Sequence, residues 1–170
     1  MTVTLAQLEK YSEGQYEPWQ SDKWKVLAMP ALGGLKLPIE LIEAVTPPFN
    51  VLQERAKNIA SSEIYFANGT RPGQFSMEVA STARLHALRY FDTWQQMVQN
   101  PYTGGFRLPS TYKKNISCVL YDQTGQLIVT IEVRNCWPLS FDGLALARQS
   151  SNEPLVVQFK CDACRLIWGA

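Results

Sequence analysis

The sequence predicts a mainly β protein of the α+β class, an antiparallel β-sandwich or barrel with one main helix on its flank. Three observations carry this. Apolar residues alternate with period two in short runs, at 75–79, 127–133 and 155–161, which is the signature of half-buried strands. Turn-forming residues separate such runs, among them the Gly33-Gly34 pair and the NGTRPG stretch at 68–73. Only one segment, 82–98, spaces its apolar residues by three and four. Sequential hairpins with a single helix pack as a sandwich or barrel rather than as a doubly wound α/β sheet.

The 170 residues, 46% of them hydrophobic, are enough to build one core without metal or disulfide staples. A single domain over 1–170 is therefore expected, with an N-terminal arm at about 1–22 and a long loop or hairpin excursion at about 46–62. The charges nearly cancel, 16 Lys and Arg against 15 Asp and Glu. No global basic field marks a nucleic-acid or membrane binder. No run approaches the roughly 18 apolar residues of a membrane span, and the start MTVTLAQLEK lacks the blocks of a signal peptide. The chain is accordingly expected to be made and kept in a cytoplasm, with no membrane partner.

The arm mixes Tyr11, Tyr16 and Trp19 with Glu13, Gly14, Glu17 and Pro18. Solvated tails are poor in aromatics, so this segment either covers its own core or docks on a neighbour. WKVLAMP then reads as a strand and GGLKLPIELIEAV as its hairpin partner across Gly33-Gly34, with Pro38 at an edge or bulge. The Thr46-Pro47-Pro48 break opens the excursion, which is polar, mildly helical in composition and without a firm apolar face. Ordering such a segment costs entropy that a partner surface must offset. Tyr11, Tyr16 and Trp19, together with Phe49, Asn50, Val51, Leu52, Arg55 and Ile59, are therefore the candidate subunit-interface residues. EIYFA at 63–67 and QFSMEVA at 74–80 read as the next hairpin, joined by NGTRPG.

The helix is predicted over 82–98, capped by Ser81 or Thr82 and stopped at Asn100-Pro101. Its stripe of Leu85, Leu88, Phe91, Trp94 and Val98 must lie on a sheet. His86 and Tyr90 fall one step around from the stripe, and His86 is read as a half-buried structural histidine because no Ser, Cys or acid is placed to make it a base. ISCVLYDQTGQLIVTIEVRN is the clearest hairpin, with Leu127, Val129, Ile131 and Val133 on one face. CWPLSFDG reads as a connection, and LVVQFKC closes the sheet, for six or seven strands in all.

Site chemistry is sparse. No GxxxxGK[ST] or GxGxxG occurs, and Glu40, Glu43, Glu54 and Glu63 are scattered. Cys161 and Cys164 form a Cys-x-x-Cys, but zinc needs two more ligands, and the only histidine, His86, is distant in sequence. These two, with Cys118 and Cys136, are read as reduced thiols packed as small hydrophobes. No catalytic, cofactor or metal site is expected. On residues alone, an adaptor using the same sandwich and an enzyme around His86 remain the alternatives.

The order of the motifs resembles the tail tube proteins of contractile-tailed phages, the family of the T-even tail tube subunit, distantly similar to the type VI secretion tube protein. The resemblance runs through YSEGQYEP, WKVLA, RPGQFSMEV into RLHALRYFDTW, STYKKNISCVLYDQTGQL, and VRNCWPLSFDGLALARQSSNEPLVVQFKCD with its Trp137-Pro138 corner and Asn152-Glu153 turn. The chain departs from the family at Ala80-Ser81-Thr82 and in ending on CDACRLIWGA. The resemblance implies a structural, non-enzymatic subunit that forms homohexameric rings, pools strands into an inner β-barrel and stacks into a tube for DNA ejection. It implies sheath, baseplate and terminator partners, tape measure protein and phage DNA in the lumen, and a virion assembled in the host cytoplasm. Tube initiators and baseplate ring proteins share the fold, so a baseplate tube-initiator or ring subunit, or a type VI secretion-like tube protein, is the alternative that the resemblance leaves.

Overall fold

The computed structural model describes residues 22–59, 62–82, 84–142 and 154–169. Tyr11, Tyr16 and Trp19 of the arm lie outside them. The strands are β1 Trp24–Ala28, β2 Ile42–Thr46, β3 Asn50–Ile59, β4 Ser62–Pro72, β5 Phe75–Val79, β6 Lys114–Tyr121, β7 Leu127–Asp142, β8 Leu155–Lys160 and β9 Ala163–Trp168. The helices are α1 His86–Val98 and the single turn α2 Pro109–Tyr112, with a 3₁₀ turn at Ile39–Leu41. Seven strands join in the order β1-β6-β7-β8-β5-β2, with β9 also on β7, and all pairs are antiparallel. Among the described residues β3 and β4 pair only with each other. The fold is the mainly β class with one main helix that the alternation and the single helical stripe predict.

β7 makes two sheets out of one. It is 16 residues long, and its first half pairs with β9 up to Arg134 opposite Ala163 while its second half pairs with β8 from Trp137 opposite Lys160. Between the halves Asn135 sits in the left-handed region, φ 55°, which Asn tolerates better than most residues. Its N–H donates to Asn115 Oδ1 at 3.0 Å, and Asp162 N–H donates to the Arg134 carbonyl at 3.1 Å. The strand thus bends from one layer to the other, as corner strands do in sandwiches. CWPLSFDG is the second half of β7, not a connection: the alternation lapses at Asn135, so the bend reads as an ending.

The core lies between the layers. Val26, Ile116, Cys118, Ile131 and Val133 face inward from one layer, and Phe75, Met77, Val79, Leu155, Val157 and Phe159 from the other. Leu127, expected on the same inward face, lies at the open end of its strand and is exposed. α1 closes the side with Ala87, Tyr90, Phe91 and Trp94. Phe75 stacks on Phe159 at 4.8 Å between ring centroids, and Phe91 and Trp94 meet Phe159 edge-on, each at 5.9 Å. The Tyr90 hydroxyl donates to the Pro30 carbonyl at 2.6 Å and Trp94 Nε1 to the Tyr112 carbonyl at 2.7 Å, so both polar tips are satisfied where the rings are buried.

Several expectations are corrected here. α1 starts at His86 rather than near residue 82, because Leu85 adopts φ 50° and breaks the first turn. Thr82 still serves the end of the helix, its Oγ1 accepting the His86 N–H at 3.3 Å. The buried stripe is rotated toward Tyr90, and Leu85 is exposed. His86 is exposed, not half-buried. The Gly33-Gly34 turn forms, with Leu32 and Leu35 exchanging backbone bonds of 2.9 and 3.0 Å. The flanking strands separate, however: β1 pairs with β6 and β2 with β5. Leu32 and Leu37 are buried and anchor this corner in the core.

Candidate assembly interface

The excursion is one long ribbon. β3 pairs with β4 from Asn50 opposite Pro72 to Ile59 opposite Ser62, so EIYFA belongs to the ribbon and not to a hairpin with β5. The expected 46–62 excursion is the first half of an element that returns to residue 72. The ribbon leaves the body through a narrow neck, where Gly73 N–H donates to the Phe49 carbonyl at 2.9 Å. A Cβ on Gly73 would meet that carbonyl oxygen at 2.7 Å, so the neck requires glycine. Asn50 Nδ2 donates to the Cys164 carbonyl at 3.0 Å and ties the root of the ribbon to β9.

Beyond the neck both faces of the ribbon are open. Residues 51–57 and 63–71 are all exposed, with Leu52 at 72% and Tyr65 at 59%. An isolated two-stranded ribbon is marginal in water, since neither face removes apolar surface from solvent. Of the predicted interface residues, Asn50, Val51, Leu52, Arg55 and Ile59 lie on this element, Ile59 opposite Ser62, and Phe49 lies at its neck. Beside them stand Ile64, Tyr65 and Phe66 of β4, all exposed, whose sequence pattern predicts pairing with 74–80 instead. The signal that marks them is the pair of proline breaks, at 46–48 and 71–73, which bracket the whole ribbon.

Three other surfaces are open in the described residues. The loop 101–108 is exposed throughout and carries Tyr102, Phe106 and Leu108. β1, β2 and β9 are edge strands, and β9 exposes Leu166, Ile167 and Trp168. Between the layers opens an apolar groove of about 490 Å³, lined by Trp24, Val45, Pro47, Phe49, Leu120 and Ile131. It lies beside the strand that follows the arm.

The cysteines collect around the β7 bend: Cys118 on β6, Cys136 on β7, Cys161 between β8 and β9, and Cys164 on β9. All four are free thiols. Burial pushes Cys118 up to about 12 and Cys161 up to about 11, and raises Cys136 and Cys164 as well. Thiols held so firmly protonated are poor nucleophiles. Among the described residues no three or more His, Cys, Asp or Glu side chains form a group able to hold a metal ion, and no helix is long and apolar enough to cross a membrane. At the bend, Lys113 pairs with Asp162 at 2.7 Å and lies 4.9 Å from the centre of the Trp137 ring.

No family model and no curated protein matches the sequence. Solved structures do match the fold. A chain of the sheath–tube complex of an extracellular contractile injection system, the PVC in its extended state, superposes with a TM-score of 0.63 at 13% identity, covering 99% of this chain and 100% of that one. The tube-terminating cap of the anti-feeding prophage also gives 0.63, at 12% identity over 89% of this chain and 92% of that chain. A chain of the six-fold symmetrised baseplate of the same particle gives 0.55, at 11% identity over 85% and 89%. The chain has the fold of contractile tail tubes.

Proposed function

We propose that this protein is a structural subunit of the tail tube of a contractile-tailed phage, acting by assembly and catalysing nothing. Copies form hexameric rings that stack into a tube enclosing the channel through which DNA is ejected. Sheath, baseplate and terminator proteins are its partners along the tail, tape measure protein and DNA occupy the lumen, and the particle is assembled in the host cytoplasm. The observation that carries the proposal is the ribbon, an ordered element exposed on both faces, on a body with the tail-tube fold. Ordering it costs entropy that its own subunit does not return, and a neighbouring copy supplies the missing contacts. The aromatic arm, with Tyr11, Tyr16 and Trp19, serves the same contacts.

A baseplate or cap ring is the second reading, favoured by the likeness to the anti-feeding prophage cap and baseplate. Negative-stain microscopy of the purified chain separates the two. Long tubes support the major tube subunit, isolated rings support the baseplate or cap position, and a monomer at all concentrations overturns both. Replacing residues 50–72 with a short Gly-Ser turn should leave a folded, soluble body, because the neck already holds Phe49 beside Gly73. That variant should no longer polymerise. Normal tubes from it would remove the ribbon from the interface.

A further inference from the structure

The ribbon sorts its charges by face. Its charged residues are Glu54, Arg55 and Lys57 on β3 and Glu63 and Arg71 on β4. Strand alternation places Val51, Gln53, Arg55 and Lys57 on one face, opposite Arg71, Gly69, Phe66 and Ile64. The other face holds Leu52, Glu54 and Ala56, opposite Thr70, Ala67 and Tyr65. The Tyr65 hydroxyl donates to Glu63 at 3.1 Å, which puts Glu63 on that second face. One face therefore carries three cations and no acid, and the other carries two acids and no cation.

This segregation does nothing for the ribbon itself. Antiparallel ribbons gain when opposite charges stand across from one another, yet here Arg55 stands opposite Phe66, Lys57 opposite Ile64 and Glu54 opposite Ala67. Neither of the two ion pairs among the described residues involves a ribbon charge. The charges are arranged for something that meets the faces from outside, and the surface complementary to each face is present on the other face of the same element.

We propose that ribbons of neighbouring copies stack face to face, with the basic face of one (Arg55, Lys57, Arg71) against the acidic face (Glu54, Glu63) of the next. The inference rests on the self-assembling reading above and specifies its contact. It also fixes the symmetry. A two-fold contact would press a face against its own copy, cations on cations or acids on acids, whereas the opposed-face contact is heterologous and propagates head to tail into a closed ring or a helical stack. Phe66 and Ile64 meeting Leu52 and Tyr65 supply the apolar centre, at the roughly 10 Å separation of stacked sheets. The charges around that centre set partner choice and direction more than raw strength, so assembly is salt-sensitive.

Two charge-inverted full-length variants test this. Arg55→Glu, Lys57→Glu, Arg71→Glu makes the ribbon acidic on both faces, and Glu54→Lys, Glu63→Lys makes it basic on both. Circular dichroism checks that each body is folded, and sedimentation velocity with negative stain reads assembly at low salt. Each variant alone should need at least about tenfold more protein to assemble than the parent, and an equimolar mixture should recover assembly by alternating the two. A variant that assembles alone like the parent overturns the stacking. So does a mixture that stays unassembled, because the ribbon then meets some surface other than a second ribbon. In either case the ribbon deletion still decides separately whether the ribbon belongs to the interface at all.

Discussion

Trp94 joins three parts of the molecule. Its ring is fully buried, meets Phe159 of β8 and Tyr90 of its own helix, and donates to the carbonyl of Tyr112. Trp94→Ala should therefore cost roughly 3 to 5 kcal/mol through the cavity it leaves, measured as a fall in the denaturation midpoint. An unchanged midpoint would mean the helix is not packed as described. The protonated groups of the core give a second prediction. Burial raises Tyr90 above its ordinary value, raises Cys136 and Cys164, and pushes Cys161 to about 11 and Cys118 to about 12. The folded chain keeps protons that the unfolded chain releases above the ordinary thiol value of 9.0, so stability is full below that pH and declines as pH rises through 11 and 12. Urea midpoints at pH 8, 10 and 11 should fall in that order, and a flat series would contradict the buried placement of these groups.

At the scale of elements, the bend in β7 decides the architecture and shows where a sequence stops being legible. Asn135→Val puts a β-branched residue at φ 55° and should cost about 1 to 2 kcal/mol, whereas Asn135→Gly should be nearly neutral. Equal thermal midpoints for the two variants would remove the left-handed residue from the account of the bend. The buried faces of β5, β7 and β8 were readable because a two-layer sandwich imposes alternation on strands with one dry face. Strand partners were not. Gly33-Gly34 reads correctly as a turn, yet which strands pair beyond it depends on Leu32 and Leu37 sinking into a core assembled from distant segments. The ribbon misled for the opposite reason: with both faces wet, no alternation marks it, and half of it was assigned to the body. Leu85 failed the helical pattern because its backbone conformation is set by the turn from Thr82, to which spacing is blind.

For the whole molecule, the open edges of one layer bear on how copies meet. Among the described residues β1 has β6 on one side and no strand on the other, and β9 has β7 on one side and only the root of the ribbon, through Asn50, near its other edge. Unpaired edges with exposed apolar residues, here Leu27 on β1 and Leu166, Ile167 and Trp168 on β9, template pairing with another chain unless something covers them. If rings form by pooling strands through this layer, these two edges are where a neighbour's strands add; β2 is the open edge of the other layer, while β5 and β8 are flanked on both sides already. Amide hydrogen exchange separates the cases. The ribbon-deleted body and the assembled parent should show equal, strong protection in β5 and β8. The outward-pointing amides of β1 and of residues 165–168, about every second one, should exchange freely in the isolated body, since their neighbours bond to β6 and β7. They should slow by at least about tenfold on assembly, as new backbone hydrogen bonds form along both edges. Edges that exchange at the same rate in both states would rule out strand addition along this layer and leave the contacts between copies to the other open surfaces, the ribbon among them.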